Sequence, residues 1–100
     1  MEVWYSDSAF KHGITEYQIQ YLLDHYQGLP FPVGSARYPG EYVDLYVGDD
    51  VHGQALEVIG RPHEDEDAPG SWGVHVFHAN RLRRGYWPYY EEQMLWQHVE

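Results

Sequence analysis

The sequence predicts an α+β fold: a small antiparallel sheet of three to four strands, with one helix from the N-terminal half and one at the C-terminal end. Two patterns carry that prediction. Residues 16–27 place apolar side chains at helical spacing, and residues 42–47 alternate them at strand spacing. The length, 100 residues, sets the chain as one domain with one modest core.

The helix over residues 16–27 has both of its ends written in the sequence. Thr15 and Gln18 form a capping-box pair, and Ile14 with Ile19 stands where a hydrophobic staple would. Ile19, Leu22, Leu23 and Tyr26 make one buried stripe. Gly28 supplies a left-handed stop and Pro30 prevents resumption. Residues 29–40, rich in proline and glycine, read as an irregular connection with a short extended piece at 31–36.

Next, Val43, Leu45 and Val47 face a core while Tyr42, Asp44 and Tyr46 face outward, as in a half-buried strand. Turn formers fill residues 48–53, and residues 54–60 return with Leu56 and Val58 inward and Glu57 outward. Residues 61–71 read as a polar, acidic loop. A further strand over 72–79 sets Val74, Val76 and His78 on one face and His75 and Phe77 on the other. A turn at 80–85 leads into the last helix, where Pro88 suits the first turn and Glu91 and Glu92 favour the positive end. Residues 3–5 add an edge strand. The order β-α-β-β-β-α predicts both helices on one face of the sheet.

Composition narrows the chemistry. There is no cysteine, which excludes disulfides and thiolate zinc sites. The first residues hold no basic n-region and no long apolar run, so the expectation is a cytoplasmic protein without a membrane span. The acidic run at 63–67 lacks calcium-loop spacing, and His75 and His78, three apart in a strand, would point to opposite faces. Neither a metal nor a cofactor is expected. Ten tyrosines and four tryptophans exceed what a small core holds. Tyr42 and Tyr46, on the outer strand face, are the candidates for a protein-binding patch.

One segment concentrates the rest. Residues 77–90 contain Arg81, Arg83 and Arg84, half of the six basic side chains in a protein of formal net charge −10. His78, Tyr86, Trp87, Tyr89 and Tyr90 lie beside them. Arginine forks match phosphate oxygens, histidine exchanges protons near neutral pH, and aromatic rings stack on unpaired bases. The same residues also suit a fold-closing segment: a histidine bonded to backbone, solvated arginines, and rings packing the last helix.

Three blocks, in order, resemble a known family. Ser8-Ala9-Phe10-Lys11-His12-Gly13-Ile14-Thr15 comes first. Val47-Gly48-Asp49 then runs through Gly53 to Leu56-Glu57-Val58, and His78-Ala79 is followed by Leu82-Arg83. Together they look like the short bacterial relatives of the BrnT-type toxins of type II toxin–antitoxin pairs. The match covers about residues 8–90, with Gly85 and Pro88 interrupting the closing helix. The resemblance implies a fold akin to the RelE-like ribonucleases, metal-independent cleavage of RNA, and a cognate antitoxin as partner.

On that implication His78, Arg81 and Arg83 are the catalytic candidates, and Arg84, Lys11, His12 and Tyr86 the candidates for holding RNA. Such cleavage needs a base for the 2′-hydroxyl, an acid for the leaving oxygen and cations for the phosphate. The alternative is a non-enzymatic acidic protein on the same fold, engaging a bacterial protein partner through its acidic loops and exposed tyrosines.

Overall fold

The structure, a computed structural model, describes residues 2–35 and 38–97. Its centre is a five-stranded mixed sheet in the order β1-β5-β4-β3-β2. The strands are β1 (Val3–Tyr5), β2 (Phe31–Gly34), β3 (Tyr42–Asp49), β4 (Ala55–Glu64) and β5 (Trp72–Arg81), with helices α1 (Glu16–Asp24) and α2 (Trp87–Gln97). Single 3-10 turns occupy Asp7–Phe10 and Arg84–Tyr86.

This corrects the expected three- to four-stranded antiparallel sheet. Residues 3–5 and 31–34 both join, one at each edge, and β1 pairs with β5 in parallel. The cause is the path of the chain. α1 carries it from one edge of the sheet to the other before the β2-β3-β4-β5 meander begins.

The helices also lie on opposite faces, not on one. The α1 face buries Ile19, Leu22 and Leu23 against Tyr46, Leu56, Val58, Val74, Val76 and Ala79. The α2 face buries Val33, Val43, Leu45, Val47 and Ile59, with Phe77, Leu82, Tyr86, Tyr89 and Tyr90 packed on them. Covering both faces converts β3 and β4 from half-buried strands into central ones. Two outward assignments fail for that reason: Tyr46 is 6% exposed and Glu57 is fully buried. Tyr46 packs under α1, its ring 5.0 Å from that of Tyr26, and burial is the first cause that pushes its hydroxyl pKa up to about 12.

The start of α1 follows the sequence rules, and its end does not. Gln18 N–H donates to Thr15 Oγ1 and Thr15 N–H donates back to Gln18 Oε1, completing the capping box. The helix stops at Asp24, three residues before the expected end, where the His25 ring sits 2.8 Å from the Tyr21 carbonyl. Gln18 also donates through Nε2 to buried Asp50, whose Oδ1 accepts from the His52 and Gln54 amides. Burial pushes the Asp50 carboxyl up, but these hydrogen bonds outweigh it and hold its pKa below the usual range. One carboxylate therefore fixes the β3–β4 turn and fastens it to the start of α1.

The hairpin of β4 and β5 reaches further than expected, taking in residues 61–64 as far as the Glu64–Trp72 pair. It contains a bulge: Ile59 pairs with His78 and Gly60 with Val76, leaving Phe77 extra. A Cβ on Gly60 would stand 2.5 Å from the His75 carbonyl oxygen, so glycine is required there. The bulge resets the alternation of β5. His78 now shares the α2 face with His75, which overturns the expected separation of the two rings.

Candidate functional site

Glu57 organises the site. It sits in the middle of the sheet on the α2 face, fully buried, opposite Val47 on β3 and Asn80 on β5. A carboxylate there needs partners on both oxygens. His78 Nε2 lies 2.9 Å from Oε2, while Arg83 donates from its backbone N–H to Oε1 at 2.8 Å and from Nε and Nη2 to Oε2 at 2.9 and 2.6 Å. Desolvation pushes the Glu57 pKa up, but the bonds from His78 and Arg83 prevail and hold it below the usual carboxylate range. The same bond to Glu57 raises the Arg83 pKa further.

The loop after the first 3-10 turn completes the cluster. β1 is short, and beyond it the chain seals the rest of the β5 edge. Ser6 N–H donates to the Val76 carbonyl, and the Ser8 hydroxyl donates to the carbonyl of the bulged Phe77. That path delivers His12 to His78, with ring centroids 5.3 Å apart and planes at 66°. On the other side, the Tyr86 ring lies 5.7 Å from the Arg83 guanidinium carbon, within cation–π range. His12 is exposed, Arg83 keeps 54% of its side chain in solvent, and His78 keeps 19%.

Four of the residues singled out from sequence thus converge: His12, His78, Arg83 and Tyr86. The others do not join them by any close contact. Arg81 pairs with Leu56, whose side chain belongs to the α1 face, so its strand position directs it away from His78. Arg84 is exposed beside Trp87 and Pro88, and Lys11 is exposed at the end of the first 3-10 turn. Tyr42 is 73% exposed, whereas buried Tyr46 has no surface to offer a partner. Glu57 was missed because alternation assigned it to solvent. The available signal was Glu57 beside Leu56 and Val58 in a strand that the second helix covers.

Chemically, the arrangement is a buried anion holding a guanidinium and an imidazole in fixed positions, with a second imidazole in front. When His78 Nε2 carries the proton donated to Glu57, Nδ1 is the ring atom left to exchange one. Glu57 anchors Arg83, whose side chain nonetheless keeps 54% of its surface in solvent, so guanidinium N–H donors remain available there. Among the described residues, no group of three or more His, Cys, Asp or Glu side chains is placed to hold a metal ion.

Fold and site define a sheet-dominated α+β domain with a buried carboxylate at the centre of a histidine–arginine cluster. No protein-family model, curated protein or solved structure matches the chain. No helix among the described residues is long and apolar enough to cross a membrane.

Proposed function

We propose that the protein is a toxin-like module that cleaves RNA without a metal, at the cluster of His12, His78 and Arg83. The observation that supports this reading is the pair of imidazoles 5.3 Å apart beside an arginine anchored on Glu57. Two histidines provide the base for a 2′-hydroxyl and the acid for the departing 5′-oxygen. Arg83 presents positive charge to the phosphate, and Tyr86 offers a ring against which a base stacks. Glu57 is a positioning residue: it fixes the His78 ring and the Arg83 fork without needing to touch the substrate. RNA and a neutralising antitoxin are the partners that this function requires.

The test is expression of the wild type, His12→Ala and Arg83→Lys, with growth and total RNA followed. The purified proteins are then incubated with RNA in excess chelator. His12 is exposed, so its replacement leaves the core untouched. Growth arrest and chelator-resistant cleavage by the wild type, lost in His12→Ala, are the expected results. Intact RNA with folded wild-type protein overturns the catalytic reading.

A second reading rests on a different observation. The outer side of α2 exposes Trp87, Leu95 (70%) and Trp96 (61%) on a protein of net charge −10. Exposed tryptophans within an acidic surface suit a non-enzymatic contact with a basic protein partner. A salt-sensitive protein complex without nuclease activity is its signature.

A further inference from the structure

The α2 face of the sheet contains a second cluster, at the end where β4 and β5 run toward their hairpin. An open cleft of about 510 Å³ lies there, and no α2 residue lines it. A cross-strand row runs beneath it: Trp4 on β1 pairs with His75 on β5, which pairs with Arg61 on β4. His63 follows two residues along β4 on the same face. Its ring stands 4.4 Å from that of Trp4 and 5.8 Å from that of His75. Gly73, the strand partner of His63, lies close under β1: a Cβ there would collide with the Glu2 carbonyl and also meet the Trp4 ring at 2.8 Å. Ser6 closes the row, its Oγ 2.7 Å from His75 Nε2.

The charge balance of the cleft runs against that of the protein. Sixteen carboxylates are spread through the sequence, yet none of those among the described residues lines this cleft, which has Arg61, His63, His75 and serine hydroxyls instead. Arg61 does meet Glu41, 3.3 Å away, but both side chains are about half exposed, so the pair is weak and exchangeable. A guanidinium, two imidazoles and a hydroxyl around one hollow are donors for a tetrahedral oxyanion. A metal cation would find two imidazoles and a repelling guanidinium.

We propose that this cleft binds a phosphate group through Arg61, His63, His75 and Ser6. The site is separate from the His12–His78–Arg83 cluster and does not depend on RNA cleavage. The group arrives either on a small phosphate ester or as a phosphodiester of an RNA strand. The second source would have the strand follow β5, where His75 and His78 flank the Phe77 bulge on one face.

The experiment is a titration of the intact protein with inorganic phosphate against chloride at matched ionic strength and pH, read by NMR at the histidine rings. The His63 and His75 signals should shift saturably, while those of His25 and His52 stay in place. Arg61→Ala should weaken the response by about tenfold or more, the loss of a charge-assisted hydrogen bond. Repeating the titration with adenosine 5′-monophosphate and with a short oligoribonucleotide separates the sources. Equal affinity for phosphate and the monophosphate assigns a small ester; a much tighter oligonucleotide, equally sensitive to Arg61→Ala, assigns a strand. Absence of a saturable shift at His63 and His75, or a shift unchanged in Arg61→Ala, overturns the proposal. Cleavage is scored separately with His12→Ala, so the two failures are distinguishable.

Discussion

Replacing Glu57 by glutamine tests the centre of the structure, because it keeps the side-chain shape while removing the charge and exchanging one acceptor oxygen for an NH2 donor that faces Arg83 or His78. The wild-type carboxylate is fully buried and accepts from Arg83 N, Nε and Nη2, with His78 Nε2 also in hydrogen-bond range. Removing one partner of a buried ion pair costs about 3–5 kcal/mol. Arg83 is 54% exposed and recovers hydration, so the expected loss for Glu57→Gln at about pH 7 is lower, roughly 2–3 kcal/mol. For a domain of this size that is a fall in Tm of roughly 10–20 °C.

The pH dependence follows from the lowered pKa of Glu57. A carboxyl with a depressed folded-state pKa contributes fully above the unfolded value of about 4–5, and that contribution vanishes as the pH falls through the folded-state value. Glutamine does not titrate. Urea unfolding of both proteins, stepped from about pH 7 to about pH 3, should show a stability gap that closes in acid. A gap under about 0.5 kcal/mol at neutral pH, or one of constant size across the range, refutes the assignment of Glu57 as the ionised anchor.

Two further substitutions address the framework. Asp50→Ala removes the acceptor of the His52 and Gln54 amides and of Gln18 Nε2, and should cost about 2–3 kcal/mol by urea unfolding. Because its pKa too is lowered, that loss should shrink toward acid pH. Gly60→Ala drives a methyl to 2.5 Å from the His75 carbonyl and 2.8 Å from Val74 Cγ2, and should cost about 1–3 kcal/mol. Gly34→Ala, with nothing within 4 Å, is the neutral control, and equal thermal stability of the two variants would remove the bulge argument.

Local signals in the sequence were readable where they depend on neighbours along the chain. The Thr15–Gln18 box, the stripe of Ile19, Leu22 and Leu23, and the turn chemistry at Asp50 all involve residues a few positions apart. What depended on the second layer was not. Alternation in β3 and β4 indicates which residues share a face, but not that both faces are covered, and this misplaced Tyr46 and Glu57. The bulge at Phe77 is invisible to a period-two reading, yet it alone turns His78 toward Glu57. The pairing of β1 with β5 joins residues as far apart as Val3 and Val74 and leaves no local trace. His12, His78, Arg83 and Tyr86 were legible as residue types; the carboxylate that gathers two of them was not.

The parallel pairing of β1 with β5 also sets an order of events. Ser6 and His75, which touch, are 69 residues apart in the chain, and Ser8 and Phe77 are equally distant. Closing such a loop costs entropy that the other strand pairs avoid, so the meander from β2 to β5 has a kinetic advantage. During synthesis the first strand emerges long before its partner exists, and the segment bearing His12 has nothing to lie against. The His12–His78 contact is therefore among the last to form and among the first to open. The proposed site, built across that seam, stays unassembled until β5 has been made, and hydrogen exchange at β1 should run ahead of exchange in β3 and β4.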